Sequence, residues 1–309
     1  MSLRALNTGV SGIKQFQSAL DNIGNNLANI NTVGYKSSRV EFADTLNQTL
    51  KSSAPDSGAG YSGTSTAQVG NGVSVAGIKN LFTQGAVTHT GVSTDMAISG
   101  DGFFMIRKPN PDPAATTSEY FATRAGDFRM DSSGYLVTNN GYRVQGITDS
   151  LLPGGASDYA DGANTGDILI NPDGITAVST SPISSVAIDT NGKVNVTLQD
   201  GTQFVRGQLL LQNFTNPNAL MKSGNNLYSN LENAGRLTGT GTFGANGALG
   251  GKPNTNGMGR IDAGALELSN VDISREFANM ITTQRAFQAN ARVVTTSDQI
   301  LQEIVQLVR

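Results

Sequence analysis

The feature that most constrains this chain is a pair of seven-residue apolar rows, one at each end of the sequence. Leu6, Ile13, Leu20 and Leu27 recur at steps of seven, with Phe16, Ile23 and Ile30 as a second row beside them. At the other end Ile273, Met280, Phe287, Val294, Leu301 and Val308 keep the same spacing, with Phe277, Ala291 and Ile304 filling in. Apolar positions three, four and seven apart share one face of an α-helix, so each end is expected to form a long amphipathic helix. The first pattern covers 3–30 and weakens at Gly24, Asn25 and Asn26. Before the second run stand Ser269, Asn270 and Asp272 as candidate N-caps, and neither Gly nor Pro occurs after position 264. A helix of ~36 residues would be ~54 Å long at 1.5 Å per residue. A repeat kept that long indicates packing along partner helices. Two helices alone bury too little apolar area to be stable. The rows therefore predict inter-subunit packing, with other chains completing the contact.

Between the ends the period shortens to two. Strand-like runs occur at Val73–Ile78, Asp95–Ile98, Phe103–Ile106, Tyr120–Arg124, Tyr135–Thr138, Tyr142–Gln145, Ile168–Ile170, Val186–Ile188, Val194–Leu198, Phe204–Arg206 and Gln208–Leu211. Turn signals separate them, including Ser133-Gly134, Asn140-Gly141, Asp173-Gly174, Asn191-Gly192 and Asp200-Gly201. Short strands with Gly turns predict an antiparallel, all-β middle. Gly accounts for 37 of the 309 residues, and two Gly-rich stretches, 51–70 and 235–259, carry no core-building pattern. The expected fold is thus α+β. Residues 1–30 and 269–309 form a discontinuous helical domain with a coiled-coil-like pairing. Residues 31–70 are expected as a link and 71–268 as a β-rich domain, with a small lobe at 147–205.

Chemistry is poorly provided for. The absence of Cys excludes disulfides, thiolate metal sites and thiol nucleophiles. A formal charge of −3 does not suggest a nucleic-acid surface. No segment approaches the ~18 apolar residues of a membrane span. The start, Met1-Ser-Leu-Arg-Ala-Leu-Asn, lacks the layout of a cleaved signal, so export, if any, is expected to use another route. Two G-x-G-x-x-G matches, Gly58–Gly63 and Gly239–Gly244, lack the strand–turn–helix setting that dinucleotide binding needs, and read as loop. His89, the single histidine, reads as a plain strand or turn residue. Asp189-Thr-Asn191-Gly192 departs from a calcium loop and reads as a hairpin turn. No pair among the carboxylates stands out for glycosidase chemistry. No catalytic, cofactor or metal residue is nominated, and the chain is not expected to be an enzyme.

Asn29-Ile-Asn-Thr32-Val-Gly34-Tyr35-Lys36 ends the first helical pattern, with Gly34 as an αL stop and a polar stretch beginning at Tyr35 and Lys36. The longer run Asp21–Lys36 resembles the N-terminal signature of the bacterial flagellar rod and hook proteins. Asp95-Met-Ala-Ile-Ser-Gly-Asp-Gly-Phe-Phe-Met105 and Thr123-Arg-Ala-Gly-Asp-Phe128 are similar to that family's β-domain. Gly264–Ser274, Asn279-Met-Ile and Gln284–Asn290 are similar to its C-terminal helix. The matches fall in order along nearly the whole chain. The resemblance implies paired terminal helices in an inner tube, β-domains outside, and helical self-assembly through interfaces that do not close. It also implies contacts with neighbouring axial proteins (rod, hook–filament junction, hook cap) and export by the flagellar type III apparatus to the hook or basal body. Val10–Leu20 and Gln68–Gly77 look hook-like, which makes the hook, a flexible torque-transmitting tube, the first expectation. The middle is short for a hook subunit, so the distal rod is the alternative. A β-rich surface adhesin and a carbohydrate-active enzyme are the readings from other classes.

Overall fold

In the computed structural model the described residues are 2–53, 65–109, 119–148, 165–171, 181–236, 250–255 and 257–307. Val308, the turn signal Asp173-Gly174, both G-x-G-x-x-G matches and residues 149–164 and 172–180 of the expected lobe lie outside them. The chain divides into two compact units. One comprises Met1–Ile30, Ser37–Leu81 and Val271–Arg309, and the other Asn31–Lys36 and Phe82–Asn270.

The first unit contains helices α1 (Ser2–Ala28) and α2 (Ile273–Leu307) and strands β1 (Ser38–Asp44), β2 (Gln48–Lys51), β3 (Ala67–Val69) and β4 (Val73–Asn80). Asp272 caps α2: its Oδ1 accepts from the Arg275 amide at 3.2 Å, satisfying one of the donors that a helix start leaves open. α1 continues through Gly24, where the polar run predicted weakening, because Ile23 and Asn26 on either side of it are buried. The helices run antiparallel, and two glycines of α1 pack directly against α2. A Cβ on Gly9 would sit 3.0 Å from Val294 Cγ2, and one on Gly12 3.0 Å from the Asn290 amide group. Leu6, Ile13, Leu20 and Leu27 on α1 are half-buried, as are Met280, Phe287, Val294 and Leu301 on α2.

Residues 31–70, expected as a link, instead contribute β1, β2 and β3. β1 pairs antiparallel with β4, and β2 with β3. The expectation failed because the anchor is not a periodicity. Asn26 is 1% exposed, and its side chain donates to the Ser38 carbonyl at 2.7 Å and accepts from the Ser38 amide at 3.0 Å. Phe16 then meets Phe42 edge-on at 5.8 Å. β4, placed by its sequence in the middle domain, belongs to this unit through the same pairing.

The second unit is built on a large antiparallel sheet. Its strands are β5 (Val87–His89), β6 (Met96–Ser99), β7 (Phe103–Arg107), β8 (Tyr120–Thr123), β9 (Phe128–Met130), β10 (Leu136–Thr138), β11 (Arg143–Thr148) and β12 (Thr165–Asp167). There follow β13 (Ile183–Ile188), β14 (Lys193–Leu198), β15 (Gln203–Leu209), β16 (Leu211–Gln212), β17 (Met221–Lys222), β18 (Leu227–Ser229), β19 (Arg260–Ala263) and β20 (Ala265–Glu267). The main path runs β13-β14-β15-β11-β7-β8-β18-β17, with β6 and β19, and β5 and β20, forming two separate two-stranded sheets. β7 shows why its run is continuously apolar. Phe104 and Ile106 enter one buried cluster, whereas Phe103 and Met105 enter another on the opposite face. β14 covers one face only and alternates buried with half-buried residues. Asp189–Gly192 closes the β13–β14 hairpin, with the Gly192 amide donating to the Asp189 carbonyl at 2.8 Å. Ile168–Ile170, expected as a strand, carries a single bridge from Leu169 to Tyr135, and regular pairing falls just before it in β12.

Two glycines of α1 test the helix seam. No atom lies within 4 Å of a Cβ built on Gly24, so Gly24→Ala should stabilise the helix by about 1 kcal/mol. Gly9→Leu, pressed against Val294, should instead cost about 1–3 kcal/mol. Thermal melting followed by the helical circular-dichroism signal should move up for the first and down for the second. Equal shifts would contradict the packed seam.

Candidate assembly site

Two features stand out: how residues 29–36 are held, and which helix faces are left uncovered. α1 stops at Ala28, and the Asn29 side chain donates back to the Asn25 carbonyl at 2.9 Å. Gly34 does have φ +67°, but it is six residues beyond the helix end and is not its cap. It is glycine because a Cβ would lie 2.5 Å from the Ala125 backbone nitrogen. Thr32 is half-buried, while Tyr35 is 6% and Lys36 0% exposed, so the expected polar stretch is in fact interior.

The reason is Glu267, at the end of β20, which is 0% exposed. Its Oε1 accepts from Lys36 Nζ at 2.6 Å and from the Gly85 amide at 2.8 Å, and Oε2 lies 3.4 Å from Arg124 Nη1. Its backbone carbonyl accepts from the Gly34 amide at 2.8 Å. Lys36 Nζ also donates to the Thr83 carbonyl at 2.7 Å, and Arg124 Nη2 to the Gly100 carbonyl at 2.9 Å. Asn226 and Lys222 donate to the Val33 and Lys36 carbonyls at 2.6 and 2.8 Å, with the Lys222 ammonium 4.5 Å above the Tyr35 ring. Residues 33–36 are thus stitched into the β-rich unit along backbone and side chain alike.

Two buried cations share one carboxylate, so the cluster carries an excess positive charge. Burial, reinforced by Arg124, outweighs Glu267 and holds Lys36 below its usual 10.5. Burial likewise pushes the Tyr228 hydroxyl above its ordinary value. A second ionic cluster is half-buried. Burial alone would raise the Asp167 carboxyl, but hydrogen bonds from Arg107, Arg143 and Gln145 bring it below the usual range. A cavity of about 210 Å³ adjoins the signature segment at Thr32 and Val33, with Asp127, Asn139, Asn226 and Leu227 in its wall. Among the described residues no three His, Asp or Glu side chains gather as metal ligands. His89 ends β5, exposed, opposite Ala265.

The helix faces differ from the expected single stripe. Within α2 only Glu276 and Ser297 are fully buried. Ile273, Phe277, Ile281, Val293, Ile300, Ile304, Val305 and Leu307 are between 44% and 85% exposed. Sequence reading missed Asn26, Arg124 and Glu267. Their only sequence signal was a charged or amide residue inside a long motif, at positions that need not be polar for solubility.

The cluster predicts an order of sensitivities. Glu267→Gln leaves two buried cations uncompensated and should cost about 3–5 kcal/mol. Lys36→Met leaves Arg124 and Glu267 balanced and should cost less. The unfolded chain holds the Lys36 proton up to 10.5, but the folded chain releases it at lower pH. Between those values the unfolded state binds more protons, so this lysine makes stability rise with pH. Urea denaturation from neutral pH to about 10 should show a shallower rise in Lys36→Met than in the unsubstituted protein. Parallel pH profiles would refute the buried, easily deprotonated lysine.

Comparison with known proteins accounts for the placement of these features. Family models match at residues 6–36 ("Flagella basal body rod protein"), 97–196 ("Flagellar hook protein FlgE/F/G D1 domain") and 262–307 ("Flagellar basal body rod FlgEFG protein C-terminal"). The flagellar basal-body rod protein FlgG of Bacillus subtilis is 39% identical over 99% of this chain and 100% of its own length. The FlgG of Borreliella burgdorferi is 34% identical over 97% of this chain and 96% of its own. The flagellar hook protein FlgE of the same organism is 27% identical over 99% of each chain. The chain belongs to the flagellar hook and rod family and is a structural protein of the bacterial flagellar axis, not an enzyme.

Proposed function

We propose that this chain is the distal rod subunit, the alternative raised by the sequence, in preference to the hook. The observation that carries this is length. Relatives named as rod protein FlgG correspond to the chain from end to end. The alignment to the hook protein FlgE runs to 460 positions against 309 residues here, so that hook carries segments with no counterpart in this chain. A subunit with no added outer mass suits a tube that holds its shape under torque. Copies assemble helically through α1 and α2, joining other axial proteins at either end of the segment. Delivery is through the flagellum's own type III apparatus. The apolar rows Leu6, Ile13, Leu20 and Leu27, and Ile273, Met280, Phe287, Val294, Leu301 and Val308, supply the inter-subunit packing. Residues 29–36 tie the end of α1 to the start of the β-rich unit.

Electron microscopy of a deletion strain decides the segment. Truncated rods without hooks are expected, and complete rods lacking only hooks would restore the hook reading. Phe287→Asp or Leu20→Asp should abolish polymer formation while the melting of the β-rich unit is unchanged. Normal filament-bearing flagella from either variant would sink the packing role of these rows.

A further inference from the structure

α2 carries two apolar patches that α1 leaves uncovered, and they lie on opposite flanks of the α1 seam. That seam is marked by Asn290, Val293 and Val294, which approach Gly9 and Gly12. Ile273, Phe277 and Ile281 are 50%, 47% and 51% exposed and lie beyond Met280 and Phe287. Ile300, Ile304 and Leu307 are 48%, 48% and 85% exposed and lie beyond Val293, on the other side. At 3.6 residues per turn the patch centres are about 150° apart around the helix. With Leu301 and Val305 added, the last two turns carry an apolar arc about 160° wide, broader than the seam one partner helix covers.

Charge is divided in the same way. Over residues 273–292 the exposed charges are Arg275, Arg285 and Arg292, whereas over 298–307 they are Asp298 and Glu303. Stability of the helix by itself does not explain this order. In the first turn Arg275 stands beside the buried Glu276, so that end gains little from the helix dipole, and the carboxylate near the other end opposes it. A contact between copies does explain it, because the acidic, apolar end of one α2 complements the basic, apolar start of another.

We propose that the C-terminal patch of α2 (Ile300, Ile304, Leu307) seats on the N-terminal patch (Ile273, Phe277, Ile281) of α2 in a second copy of this chain. The two helices run parallel and staggered, with Ile300 level with Phe277 and Ile304 level with Ile281. Glu303 and Arg285 then fall on the same side of the contact, about 7.5 Å apart along the axis, within reach of two long side chains. Unlike patches meet, so the contact is heterologous and repeats from copy to copy without closing. This pairing rests on the assembly reading above and specifies which surfaces meet.

The chain has no cysteine, so introduced thiols report contacts cleanly. Polymer of the full chain carrying both Ile281→Cys and Ile304→Cys should give a ladder of covalent multimers on mild oxidation, since a disulfide requires Cα atoms within about 7 Å. Each single variant should stay monomeric under denaturing electrophoresis. Polymer of the double variant that yields no ladder overturns the pairing, as does dimer formation by either single variant. If the double variant does not polymerise, charge reversal decides. Glu303→Arg and Arg285→Glu should each raise the concentration at which polymer appears about tenfold, and together restore it to within about threefold. No restoration overturns the proposal. Failure of the unsubstituted chain to polymerise would count against the assembly reading itself, which separates the two.

Discussion

The fold of the β-rich unit depends on one buried carboxylate. Glu267 gathers Lys36, Gly85 and Arg124, residues 231, 182 and 143 positions away along the chain. Two cations around one anion in a dry site are not an efficient route to stability, since apolar side chains of similar volume often serve as well or better. What the cluster does provide is a unique partner for the segment entering from α1. The Lys36 ammonium is met there by the Glu267 carboxylate and the Thr83 carbonyl. The arrangement fixes the register of residues 33–36 against Thr83–Gly85 and Arg124–Ala125, where Gly34 leaves no room for error.

The helices show the complementary logic. The β-rich unit buries both faces of its central strand, so β7 is spent entirely within one copy. α1 and α2 do the reverse. Gly9, Gly12 and Asn290, small or polar groups, lie within their contact, and much of the large apolar surface of α2 stays open. A chain selected to be stable as a single copy would place its leucines and phenylalanines in that seam. Here Phe277 and Leu307 remain 47% and 85% exposed, and Leu20, Phe287 and Leu301 are only half-buried.

This division also explains what could be read from sequence. Helix periodicity and glycine-marked hairpins are local properties, so both helices, the Asp189–Gly192 turn and most strands of the sheet were legible. The nature of Lys36 was not, because burial of a charge depends on a partner far away along the chain. Gly34 was marked correctly as a left-handed position but for the wrong reason: the close approach of Ala125 demands it, not the helix end. Residues 38–51 were read as link because short strands with exposed side chains have no pattern of their own; Asn26 and the distant β4 impose their form. The helical rows predicted that a partner was needed, but exposure on both flanks of α2 becomes visible only once α1 is in place.

The distribution of that exposure bears on how copies of such a chain can form a polymer. The centres of the two apolar patches of α2, near Phe277 and Ile304, are about 40 Å apart along a straight helix at 1.5 Å per residue. They face different ways, so no bending within one copy brings them together. In the proposed pairing, two copies meeting end to flank satisfy one patch each and expose the other, which leaves the growing end as adhesive as before. A symmetric arrangement of the same residues, on one flank at one height, would close into a dimer and stop. In that pairing open growth follows from where the apolar side chains sit on a single helix, before any outer contact is considered.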